Sequence, residues 1–526
     1  MNIDKDLLST QEVRIISQKA KEAQLEYKHF NQAQVDTIVK AMVEAGYNES
    51  ERLAKMAVEE TGFGNVADKI TKNKFATKEV WESIKNLKTV GIIDTQKNGK
   101  IVKIAEPMGV VAALIPSTNP TSTAMFKAII SLKSRNGIVV SPHPKAVSCT
   151  MESIKVMQVA ATKAGAPKGL IQCMSISTIE GTDALMKDPN IAVILATGSN
   201  AMVRAAYSSG KPAYGVGAGN VPAFIERTAN INKAVADIVT GKTFDNGTLC
   251  SSEQAVIVDR PIKDKVIEEA KKLGCYFVNA EEKKKLEQFV MKGGKLNAEI
   301  VGKAAAWIAN FSGFKVPDTT KILIAECFKV GKEELLSAEK LSPILAFYTV
   351  DGWLDGCHKC IDLLNFGGVG HTMVIHSGDN DIIMKFALEK PAFRILVNTP
   401  SSLGAVGHTT GLMPSLTLGC GTWGGSIISE NVSAQHLINV KTLAFEINTI
   451  NPGKSVSGLE NTKTGFVAGT NSGFMQQIEE RLLARAGNPV VNKQDITAKQ
   501  KTENKVVFGT GISEKDVNKI INEFKF

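Results

Sequence analysis

Residues 109–141 read GVVAALIPSTNPTSTAMFKAIISLKSRNGIVVS, and the fold class follows from how this stretch divides. The apolar run at 109–115 and GIVVS at 137–141 have the length of strands, while PTSTAMFKAIISLKSR at 120–135 has the length of a helix. The alternation continues through AVSCTMESIKVMQVAATKAG at 146–165 as a helix, with GLIQCMS at 169–175 and IAVILAT at 191–197 as strands. Buried apolar strands alternating with helices are the signature of a parallel, doubly wound α/β sheet covered on both faces. Nucleotide binding is the common use of that architecture, although fold alone does not establish it.

Upstream, residues 1–85 read as a helical layer, because VDTIVKAMVEA and ERLAKMAVEE repeat apolar residues at helical spacing. Two β-rich runs, VGIID and IVKIAEP, then flank Asn98-Gly99, the strongest short-range hairpin signal, so an arm is expected at about 90–106. Downstream, a second α/β segment spans about 228–425 and includes EKLSPILAFY at 339–348, FGGVGHTMVIH at 366–376 and FRILVNTPSS at 393–402. Residues 451–512 have the composition of a flexible linker, with a short helix expected near 474–485. In the last stretch, 513–526, Val517, Ile520, Ile521 and Phe524 form an apolar stripe behind a capping box of Ser513 and Asp516. A helix this short forms mainly when its stripe meets a partner.

A chain of 526 residues can bury at least two cores. It has no run of about 18 apolar residues and begins with the polar MNIDKDLLST, so neither a membrane span nor a secretory signal is expected, and a cytoplasmic location is. The net charge of +9 is spread over lysines mixed with glutamates, as in KVIEEAKKL, which reads as solvated helix faces and not as a nucleic-acid groove. Eight cysteines are scattered without the spacing of a disulfide framework. Cys357 and Cys360 make one CxxC with no second pair, so packing and no metal is the expectation there.

KTFDNGTLCSSEQAVIVD, at 242–259, sets Cys250 in a small-residue loop just before an apolar strand. Asp245, Asn246 and Gly247 tolerate unusual backbone angles. A thiol displayed on a loop beside a rigid strand is a candidate nucleophile; the competing reading is a small buried thiol. No GxGxxG follows the first strand. GVGAGN at 215–220 resembles one superficially, but no helical pattern follows Asn220, and its glycines read as backbone in close approach. A phosphate is better received where strand 191–196 runs through Thr197, Gly198 and Ser199 into a helix, with Ser199 as a plain N-cap the alternative.

IPSTNPTS, SPHPKA, GAPKGLIQ, ATGS, GVGAGNVP, KTFDNGTLCSSEQ, EKLSP, GHT and LGCGTWGGS occur in an order that resembles the CoA-acylating aldehyde dehydrogenases. The resemblance is to the aldehyde dehydrogenase half of bifunctional aldehyde/alcohol dehydrogenases and to enzymes of bacterial microcompartments, and it covers about residues 10–450. It implies the aldehyde dehydrogenase fold: an NAD-binding domain at 1–227, a catalytic cysteine domain at 228–425, and β arms, the hairpin and a strand region at 426–450, that join a homo-oligomer. By the same resemblance Cys250 attacks a short-chain aldehyde, and the Asn119 amide with the Cys250 N–H holds the oxyanion. His371 would assist the CoA thiol or the thiohemiacetal. Thr197, Gly198, Ser199, Gly217 and Glu339 fall to the cofactor, with Glu339 on the nicotinamide ribose. NAD is expected, and SPHPKA, which departs from the lysine-bearing stretch that helps hold the adenosine in hydrolytic relatives, leaves NADP open.

Hydrolytic relatives activate water with a glutamate in an ELGGK-type stretch. The corresponding GVGAGNVP holds no acid, so the acyl-enzyme is expected to wait for coenzyme A, with the glycines leaving room for the pantetheine arm. A hydrolytic aldehyde dehydrogenase and a non-catalytic scaffold recruited by its tail are the competing readings. In similar packaged enzymes a short terminal helix docks on microcompartment shell or cargo, and residues 513–526 have that form.

Overall fold

The computed structural model describes residues 4–450 apart from Gly294, so the expected linker at 451–512 and the helix at 513–526 lie outside the described residues. Helices Lys5–Tyr27, Gln32–Asn48, Ser50–Thr61 and Val66–Lys74 make up most of the N-terminal layer. The arm follows as β1 (Gly91–Gln96) and β2 (Ile101–Pro107), turned by Lys97, Asn98 and Gly99, all at positive φ.

The first sheet contains β3 (Val110–Leu114), β4 (Gly137–Ser141), β5 (Ile171–Cys173), β6 (Ile191–Thr197) and β7 (Ala213–Val216), ordered β5-β4-β3-β6-β7 and parallel throughout. Successive residues of β3 enter different cores. Val111 and Ala113 pack with Val35, Ile38 and Met42 of helix Gln32–Asn48. Val110, Ala112 and Leu114 pack with Val13, Ile16 and Ala20 of helix Lys5–Tyr27. A strand covered on both faces has no solvent side for a polar residue, which explains the unbroken apolar run. Strand order reverses between β3 and β6, and ligands of open α/β sheets bind outside the carboxyl ends at such a reversal.

The second sheet contains β8 (Val221–Ile225), β9 (Glu253–Asp259) and β10 (Cys275–Phe277). After a two-stranded ribbon, β11 (Met291–Lys292) and β12 (Lys295–Leu296), it resumes with β13 (Ile322–Glu326), β14 (Ile344–Val350), β15 (Gly370–His376) and β16 (Ala392–Val397). Its order is β10-β13-β14-β9-β8-β15-β16, again parallel. Cys357 and Cys360 lie on helix Gly352–Gly367, buried in the apolar core on one face of this sheet. β17 (Ile438–Ala444) pairs antiparallel with β2, so the arm is a three-stranded ribbon. Among the described residues no helix is long and apolar enough to cross a membrane.

The chain leaves the carboxyl end of β7 at Val216 and enters the amino end of β8 at Val221. Cys250 precedes β9, Glu339 precedes β14 and His371 opens β15, so three residues far apart in sequence share the amino-terminal rim of one parallel sheet.

Candidate active site

Three consecutive left-handed residues, Asp245 (φ 49°), Asn246 (φ 53°) and Gly247 (φ 74°), turn the chain toward Cys250. For Asp and Asn such angles are uphill, so neighbours must hold them. The Asp245 N–H donates to Asp68 Oδ2 at 2.7 Å, and Asn65 N–H donates to Asp245 Oδ1 at 2.9 Å. The other carboxylate oxygen accepts from Lys69 Nζ at 3.0 Å, from Thr248 Oγ1 at 2.6 Å and from Lys72 Nζ. Asp245 is 0 % exposed, Lys69 2 % and Lys72 4 %. Burial favours a neutral Asp245, but Lys72 and Lys69 outweigh it and hold the carboxyl below its usual range. Burial likewise pulls Lys72 down to about 8 against the attraction of Asp245. Removing one partner from a pair buried this deeply strands the other charge. Asp245→Ala is therefore expected to cost about 3 to 5 kcal/mol of stability, read as a lower denaturant midpoint.

Asn119 precedes helix Pro120–Lys133 in the N-cap position, yet its side chain makes no capping hydrogen bond. An Asn there would ordinarily accept from the second or third N–H of the helix. Instead Oδ1 accepts from Lys72 Nζ at 2.5 Å, and Nδ2 donates to Thr118 Oγ1 at 3.1 Å. The same lysine therefore touches Asn119 and the anchor of the Cys250 loop.

Cys250 is partly buried, and its carbonyl lies against Gly219. A Cβ on Gly219 would stand 2.3 Å from Cys250 O and 3.0 Å from His371 Nδ1. The Gly219 N–H donates to Glu339 Oε1 at 3.0 Å. Burial pushes the Glu339 carboxyl up to about 7, against the pull of the Gly219 N–H, Lys242 and Lys340. Burial, then the Glu339 and Cys420 charges, push the Cys250 thiol up to about 12, with Arg394 opposing, so the resting sulfur carries its proton at neutral pH. His371 is fully buried; burial, then Arg394, push it down to about 3 and keep it neutral. Its Nδ1 lies 2.9 Å from Thr372 Oγ1, which already accepts from Arg394 Nε at 3.1 Å. Either atom can donate in the histidine–threonine contact, and His371 Nε2 has no partner among the described residues.

The glycines of 215–220 are backbone in close approach. A Cβ on Gly215 would meet Val203 Cγ1 at 2.5 Å, and one on Gly217 would meet Asn200 Oδ1 at 2.2 Å. The space beside their missing side chains is filled by the protein itself, so these glycines serve close packing. Upstream, Thr197 closes β6 and Ser199 caps helix Asn200–Ser208, accepting from the Met202 N–H at 3.3 Å. A Cβ on Gly198 would have no neighbour nearer than 3.8 Å, which leaves room above the helix start. This opening lies at the carboxyl end of β6, beside β3, where the strand order reverses.

Sequence reasoning did not find Lys69, Lys72 or Arg394. The two lysines sit in the helix VADKITKNK, and Arg394 sits inside a strand. The one signal was Asp245 itself, an acid among residue types that accept positive φ.

The aldehyde dehydrogenase family matches residues 5–417. Aldehyde-alcohol dehydrogenase 2 of Entamoeba histolytica is 47% identical over 444 residues, 82% of this chain and 51% of that protein. This chain thus spans about half the length of that relative. A crystal structure of an acetylating aldehyde dehydrogenase from Geobacillus thermoglucosidasius is 52% identical, with a TM-score of 0.84 over 85% of this chain and 99% of that one. The Rhodopseudomonas palustris propionaldehyde dehydrogenase with bound propionyl-CoA is 30% identical, with a TM-score of 0.74 over 82% of this chain and 94% of that one.

Proposed function

Since this chain belongs to the aldehyde dehydrogenase family, we propose that it oxidises a short-chain aldehyde with NAD and CoA to an acyl-CoA and NADH, reversibly, through a thioester on Cys250. The observation that carries the reading is the gathering of Cys250, Gly219, Glu339 and His371 at one rim, with Asn119 tied to the cysteine loop through Lys72. The acetylating and CoA-bound relatives support the choice of CoA as acyl acceptor.

The residues fit NAD: the open backbone at Gly198 and the helix start capped by Ser199 suit a pyrophosphate, and the family resemblance assigns Glu339 to the ribose. NAD bound there supplies the hydride acceptor. Cys250 must lose its proton before it can add to the aldehyde carbon, and burial and the Glu339 charge oppose that loss in the resting site. Asn119 Nδ2 and the Cys250 N–H stabilise the oxyanion of the thiohemiacetal, a charge that exists only along the reaction path. His371, neutral at this rim, acts as an uncharged imidazole and not as a cation. Once the thioester has formed, transfer to the CoA thiol releases Cys250.

Water attack is the second reading. No acid occurs within 215–220, yet Glu339 reaches Gly219 from another element and supplies one carboxylate at this place. NADH formation from propionaldehyde or acetaldehyde, with and without CoA and with the product weighed by mass spectrometry, separates the two. Sustained turnover is expected only with CoA, giving acyl-CoA. Sustained turnover to the free acid without CoA would overturn the acylating reading.

A further inference from the structure

The ammonium group of Lys72 reaches three acceptors: Asn119 Oδ1 at 2.5 Å, the Asp245 carboxylate, and Thr248 Oγ1 at 3.4 Å. These belong to two segments that are 126 residues apart between Asn119 and Asp245 and that carry the proposed oxyanion donor and the anchor of the nucleophile loop. An ammonium has three donors and no acceptor, so the amide atom beside it is the oxygen, and the amide orientation is chemically fixed. Thr118 Oγ1 takes one Nδ2 hydrogen, and the other has no partner among the described residues. Lys69 braces the arrangement from behind, donating to Asp245 Oδ2 at 3.0 Å and to the Thr118 carbonyl at 3.1 Å.

We propose that Lys72 is a positioning residue that holds the Asn119 amide with its N–H end free for the reacting oxygen and in register with the Cys250 loop. The proposal rests on the acylating reading above. Without the cation, the amide is free to turn and to take up the capping role that its place at the start of helix Pro120–Lys133 offers, with its oxygen on a helix N–H. Lys72 does not touch substrate, so its effect must pass through Asn119. That requirement distinguishes it from a lysine that only stabilises the fold.

The test is a double-mutant cycle on the full chain, with kcat and KM for NADH formation from propionaldehyde, NAD and CoA. Lys72→Met is expected to lower kcat by about 10- to 100-fold, the scale of a displaced catalytic group. Its KM for aldehyde should stay within about 2-fold, because the lost interaction is made only in the transition state. In an Asn119→Ala background the same substitution should cost less than about 2-fold, since the group it positions is gone. Equal losses in both backgrounds, a rise in KM alone, or an unchanged kcat would overturn the proposal. If Lys72→Met fails to fold, Lys72→Arg takes its place in the same cycle, because the guanidinium keeps the charge beside Asp245 but cannot repeat the three-way contact of a point donor. A wild-type protein without CoA-dependent turnover would remove the acylating reading itself, an outcome separate from additive losses in an active enzyme.

Discussion

NADH formation is expected to fall by at least about 10³-fold when Cys250 is replaced by serine, measured with saturating NAD, CoA and propionaldehyde. The two side chains are close in size, so the loop anchored by Asp245 should keep its shape, and the change falls on the chemistry. A hydroxyl is a far weaker acid than a thiol, even one that burial and Glu339 push up to about 12. The buried loop offers an alkoxide no better stabilisation than it offers the thiolate. An ester in place of a thioester would also pass its acyl group to a thiol less readily. Retained oxidation in Cys250→Ser would show that the nucleophile lies elsewhere.

Asn119→Ala carries the second large effect, a fall in kcat of about 10² to 10³, as found when one oxyanion donor is removed. The amide does not cap its helix, so alanine costs little of the usual capping stability there. On the proposed reading, what disappears is a donor to a charge absent from the bound aldehyde, so KM should change little while kcat falls. The substitution also leaves the Lys72 ammonium without its 2.5 Å acceptor, although Asp245 still compensates the charge. A large rise in KM with kcat preserved would assign Asn119 to substrate binding and not to the oxyanion.

The first sheet was legible because its signal is local. β3, β4 and β6 fall where 109–115, 137–141 and 191–197 place them, since strands buried on both faces need uninterrupted apolar residues. β5 is shorter than the run at 169–175, with pairing confined to Ile171–Cys173. The left-handed turn before Cys250 was legible too, because Asp245, Asn246 and Gly247 are residue types that accept positive φ. His371 illustrates the opposite case. Its sequence position suggests a histidine that titrates near neutrality, whereas burial and Arg394 keep it neutral throughout that range.

The sequence by itself determined the alternation of strands and helices, the small-residue loop around Cys250, the absence of acid from 215–220 and the ordered stretches that point to one family. All of these reside in consecutive residues or in their order along the chain. Only the tertiary structure decided that Glu339 meets Gly219, that the glycines of 215–220 are filled by Asn200, Val203 and Cys250, and that Lys72 joins Asn119 to Asp245. Those contacts link residues up to 173 positions apart. A lysine on an N-terminal helix carries the same local pattern whether it faces water or a buried carboxylate, and only the packing of that helix against the rest of the chain decides between them.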